Sequence, residues 1–108
     1  MTSTHEAELW ARALAMAIRA ERAAMGLSAK LFAMQAGISS TVYGGIERGT
    51  REVKVEQLRK IAAVIGVSPG RMLELADVRV ADLVNRNLLL AGVSGAATRS
   101  DAVRIDKR

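Results

Sequence analysis

Apolar residues recur along this chain at helical spacing, and capping residues and glycines cut the recurrence into blocks. Trp10, Leu14, Ala17, Ile18 and Met25 fall on one face of a helix expected over Glu6 to Met25, after a start, Met1 to Thr4, expected to be disordered. Ser28 can accept a hydrogen bond from the free N–H groups of the next turn. A second helix is therefore predicted over Ala29 to Ala36, with Phe32, Ala33 and Ala36 facing inward. Gly37 ends it, because the residue just past a helix often needs a positive φ, which glycine adopts without steric cost. Ile38 returns the chain to the core, Ser39 caps a third helix and Gly49 closes it. The inward positions of that helix are Ile46 and either Val42 or Tyr43.

A polar loop from Gly49 to Lys54 precedes a fourth helix, marked by Val55, Leu58, Ile61, Ala62 and Ile65 and stopped by Gly66. Ser68 and Pro69, a cap and a first-turn proline, open a fifth helix carrying Met72, Leu73 and Leu75. Valines and leucines at 78, 80, 83, 84, 88 and 90 predict an additional helix to about Leu90 or Ala91. From Gly92 onward, small polar residues and alternating charges predict a flexible basic tail. The chain reads as all-α.

Two short helices joined by a tight turn at Gly37 form a layout that presents a helix to the major groove of DNA. The residues that carry the pattern are Ile18, Arg19 and Arg22 before Gly26, Leu27 and Ser28; then Ala33, Gly37, Ile38, Ile46, Glu47, Arg48 and Gly49; then Leu58, Ala62, Gly66, Val67 and Ser68. With these residues the span from about Ile18 to Leu75 resembles the Cro/repressor-like, or XRE, helix-turn-helix family. The resemblance implies a five-helix DNA-binding domain over residues 1–76, with its core at 9–76 and its motif at 28–48. Residues 77–91 then form an additional C-terminal helix and 92–108 the tail.

The resemblance also implies roles. Ser39, Ser40, Thr41, Gly44 and Gly45, at the start and on the outward side of the third helix, stand where the family faces base edges. Gly44 and Gly45 depart from it by removing side chains where relatives carry base-reading ones. Either the backbone then approaches DNA closely or the helix tightens only when bound, or the helix reads few bases and specificity lies in shape or in other segments. Tyr43 replaces a branched aliphatic residue. Its ring packs in the core, or its hydroxyl reaches a phosphate at the rim. Ala29 stands where relatives have a phosphate-holding glutamine, a role left to Lys30. Arg48, Thr50, Arg51 and Lys54 crowd the end of the third helix, where the family contacts phosphates. Arg22 and Glu47 match positions that pair helix one with helix three, which implies a partly buried structural ion pair. Leu83, Val84 and Leu88 either form a homodimer or partner surface or fold back on the core.

Composition narrows the function. A chain of 108 residues, half of them apolar, can build one helical core. Its 16 basic against 11 acidic residues, a formal charge of +5, favour a polyanionic partner such as double-stranded DNA. Without cysteine there is neither a disulfide framework nor a thiolate metal site, and the lone His5 lies outside the core pattern. No cofactor, metal, signal peptide or membrane span is expected, and a cytoplasmic location follows. Three classes of function stand against this sequence: a sequence-specific transcriptional regulator acting as a repressor; an antitoxin or adaptor using the fold to bind a protein; and a small enzyme. The last lacks a cysteine, a usable histidine, a phosphate-cradling glycine loop and a paired carboxylate set with a pocket to match.

Overall fold

The caps read from the sequence delimit the helices in a computed structural model, which describes residues 4–90 and the side chains of residues 5–86. Five α-helices, α1 (Thr4–Met25), α2 (Ala29–Ala36), α3 (Ser40–Arg48), α4 (Val55–Ile65) and α5 (Pro69–Leu90), make up the described residues, without a strand. Ser28 Oγ accepts from the Leu31 N–H at 3.1 Å and Ser39 Oγ from the Val42 N–H at 3.2 Å. Ser68 Oγ accepts from the Arg71 N–H at 3.0 Å. Gly37 takes a φ of 71°, and its N–H and that of Ile38 donate to the Met34 and Ala33 carbonyls, which closes α2. α4 starts differently. Lys54 has no acceptor to cap with, and Gln57 Oε1 instead reaches back to the Lys54 backbone N–H at 2.8 Å.

The core draws on every helix. Leu14, Ala17 and Ile18 of α1 meet Phe32, Ala33 and Ala36 of α2, Tyr43 and Ile46 of α3, Leu58, Ile61 and Ala62 of α4, and Met72 and Ala76 of α5. The Phe32 and Tyr43 rings lie 5.2 Å apart, tilted by 30°. α1 runs along α5 over the longest helix contact and also supports α3, while α2 packs on both α3 and α4.

Three expectations change. Trp10 and Met25, assigned to the inner face of α1, are 37% and 42% exposed, because that helix extends past the core at both ends. The additional helix is the second half of α5: Ala76 and Asp77 carry no stop signal, so one helix continues from Pro69 to Leu90. Its Leu83 is buried at 2% exposure within the chain, whereas Val84 is 41% exposed. The free apolar surface therefore excludes Leu83. The Leu88 side chain, Met1 to Ser3 and the expected tail from Gly92 lie outside the described residues. α1 begins at Thr4, two residues before the expected start. No described helix is long and apolar enough to cross a membrane.

Candidate nucleic-acid interface

α3 is held from behind by two arginines of α1. Arg22 meets Glu47 through two parallel bonds, Nε to Oε2 at 2.6 Å and Nη2 to Oε1 at 2.8 Å, and its Nη1 donates to the Leu27 carbonyl at 2.8 Å. Such a fork fixes orientation as well as distance. Arg19 Nη1 donates to the Glu47 carbonyl at 2.6 Å, so a cation sits at the negative end of the α3 dipole. Tyr43 completes the set, its hydroxyl donating to Glu47 Oε2 at 2.5 Å. Burial alone raises the Glu47 pKa, but the hydrogen bonds from Arg22 and Tyr43 outweigh it and hold the carboxyl below its ordinary range. The Arg22 pKa is raised by the same hydrogen bond, and the Tyr43 hydroxyl is pushed up by burial and by Glu47. All three groups thus keep the charge state that the network needs at neutral pH.

This geometry sorts the residues named from the sequence. Arg22 and Glu47 come together, with side chains 20% and 11% exposed. Tyr43 leaves the phosphate-contacting set, because it is 1% exposed and its hydroxyl already serves Glu47. Ser39 remains at the start of α3 with its oxygen engaged as the cap. Ser40 and Thr41 are exposed, as are Lys30, Arg48, Thr50, Arg51 and Lys54. Among the described residues, none of Lys30, Arg48, Arg51 and Lys54 forms a salt bridge.

The outward face of α3 follows from helix geometry. At about 100° per residue, Tyr43, Ile46 and Glu47 share the arc turned to the core, while Thr41, Gly45 and Arg48 fall on the opposite arc beside Gly44. Gly45 should then be open, yet it is buried. The cover is Arg51: a Cβ on Gly45 would lie 3.1 Å from its Nε, 3.2 Å from its Cβ and 3.6 Å from its Cδ. Gly44 is half-buried in the same way, under Arg48, whose Nη1 stands 3.1 Å from the place of a Cβ. Gly45 is therefore not a bare, base-facing backbone. Gly49 closes the helix with a φ of 74° and lets α1 approach, since its Cβ would stand 3.2 Å from the Arg12 Cα.

The helices thus form a cap-to-cap pair whose second member, α3, is clamped through an arginine–glutamate fork and turns a face of small, hydroxyl and basic groups outward. A family model described as helix-turn-helix matches residues 18–71, half of the chain. The chain belongs to the XRE-type helix-turn-helix family. Membership places it among DNA-binding transcriptional regulators. The crystal structure of the clp gene regulator ClgR from Corynebacterium glutamicum is similar, with a TM-score of 0.72 and 26% identity over 80% of this chain and 92% of that one. No curated relative matches.

Within this helix-turn-helix domain, sequence reasoning missed two partners. Arg19 matched the family pattern without a role, because its acceptor is a backbone carbonyl 28 residues away. The Tyr43 bond to Glu47 was readable in principle, since residues four apart share a helix face. The Arg48 cover on Gly44 has the same four-residue spacing, whereas the Arg51 cover on Gly45 reaches back from beyond the helix end and has no such signal.

Proposed function

We propose that this regulator is a repressor that occupies an operator by placing α3 in the major groove. Ser40 and Thr41 stand at base edges, and the Thr41 methyl packs on a thymine methyl. Lys30, Arg48, Arg51 and Lys54, with Thr50, supply attraction to the duplex and contacts to phosphates. The observation that carries this reading is the contrast across α3: a clamped inner side, and an outer side whose exposed cations have no acidic partners among the described residues. The similarity to ClgR, a clp gene regulator, supports the same reading.

A homodimer suits this mode of action, because two-fold operators place half-sites roughly 34 Å apart. Val78 and Val84, 62% and 41% exposed on α5, are the apolar residues such a contact would cover. The same two valines favour the second reading, an antitoxin or adaptor whose α5 binds another protein. Selection of duplexes from a random pool, followed by salt titration, separates the readings. The repressor reading expects a two-fold motif bound roughly a thousandfold more tightly than scrambled DNA. Equal, purely salt-driven binding of both DNAs would overturn it and leave the partner reading.

A further inference from the structure

We propose that Gly45 is a seat for Arg51, and that Arg51, from outside the helix, is the guanine-reading group of the α3 face. The inference rests on the reading that α3 faces DNA. It starts from an anomaly: Gly45 lies on the arc opposite Tyr43, Ile46 and Glu47, and it is nevertheless buried. The nearest cover on its outer side is the Arg51 side chain, with its Cβ, Cδ and Nε all within 3.6 Å of the position a Cβ would take. An arginine that touches the helix at both ends of its stem lies flat along it, and a Cβ at 45 would press that stem back by a few tenths of an ångström, a larger side chain by more.

Thr50 fixes the start of this arrangement. Its N–H and its hydroxyl both donate to the Gly45 carbonyl, at 3.0 and 3.3 Å, so the chain leaving α3 is pinned one residue before Arg51. Arg48 repeats the pattern on Gly44, with Nη1 3.1 Å from the missing Cβ. Two guanidinium groups thus lie where residues 44 and 45 have no side chains of their own. Arg51 forms no salt bridge among the described residues, so its donors are available. A planar guanidinium held on a groove-facing helix matches the paired acceptors O6 and N7 of guanine, and a lysine ammonium does not reproduce that fork. Gly45 is then a positioning residue and Arg51 a specificity determinant.

The test compares wild type, Gly45→Ala, Arg51→Ala, Arg51→Lys and the Gly45→Ala/Arg51→Ala double variant in duplex selection, with helix content followed by circular dichroism. Wild type should enrich guanine at one position of each half-site. Gly45→Ala, Arg51→Ala and Arg51→Lys should each lose roughly 5- to 150-fold of discrimination at that same position, with helix content kept. The double variant should lose no more than Arg51→Ala alone. Retention of the guanine preference by Arg51→Lys, with Arg51→Ala weakening all sequences alike and lowering the salt slope by about 1, would make Arg51 a phosphate contact and overturn the seat. Additive losses in the double variant would overturn it too. If wild type enriches nothing, the reading of α3 as a sequence reader falls, a result distinct from both.

Discussion

The inner and outer faces of α3 are built on opposite plans. Inside, Tyr43, Ile46 and Glu47 are buried and every polar group has a named partner: Arg22 and the Tyr43 hydroxyl on the Glu47 carboxylate, Arg19 on its carbonyl. Outside, the helix carries two glycines, two exposed hydroxyl residues and arginines that lie across it. Each glycine inside a helix costs about 1 kcal/mol relative to alanine. A helix of 9 residues with such a pair has little stability of its own, so the clamp behind it supplies the order that the front lacks. Order and exposed chemistry are thereby separated onto two faces of one short element.

The sharpest way to break this division is Arg22→Ala. It leaves the Glu47 carboxylate without its charged partner and the Leu27 carbonyl without its side-chain donor, and a loss of about 3 kcal/mol is expected from urea denaturation. Glu56→Ala, on an exposed pair, should stay within about 0.5 kcal/mol. Similar losses for the two variants would mean that the clamp does not hold the fold.

Acid tests the same carboxylate. The folded pKa of Glu47 lies below its unfolded value, so its contribution is present above the unfolded value of about 4.3 and is lost as pH falls through the folded one. The stability gap between wild type and Glu47→Gln should accordingly narrow between neutral pH and pH 3. A constant gap would show that the carboxylate's charge is not what matters.

Tyr43→Phe keeps the ring against Phe32 and removes only the hydroxyl. It should cost about 2 kcal/mol, the scale of a hydrogen bond to a charged group, and less than Arg22→Ala. The outer face should respond with the opposite sign. In Gly44→Ala the new Cβ meets only the tip of the flexible Arg48 side chain, so thermal unfolding should reveal a gain of about 1 kcal/mol from helix propensity. Gly45→Ala should gain less, since Arg51 Cβ stands 3.2 Å away and cannot swing aside as a side-chain tip can. A loss of stability in Gly44→Ala would place that residue in the packed part of the molecule.

Much of this architecture was legible before any coordinates. Serines 28, 39 and 68 cap the helices they were expected to cap, and Gly37 and Gly49 end theirs, because capping chemistry acts over three or four residues and needs no tertiary information. Phe32, Ala33, Ala36, Ile46, Leu58, Ile61 and Ala62 are buried as their spacing predicts, whereas Val55, on the same stripe at the first residue of α4, is 76% exposed. Periodicity failed at the ends of α1, where Trp10 and Met25 share the face but run past the core. It also divided α5 where no stop signal stands, and left Leu83 between two fates that only packing could decide.

What the sequence by itself determined was the order of helices, their caps, most of the core and the family, since each is encoded in residue types a few positions apart. The tertiary structure decided the rest. It turned Tyr43 inward onto Glu47, brought Arg19 and Arg22 to the end of α3, and laid Arg51 over Gly45. The long-range pairs depend on where α1 lands relative to α3, and the arginine cover on how the chain leaves that helix. Distances of this kind are set by the packing of the whole core, and no local spacing records them.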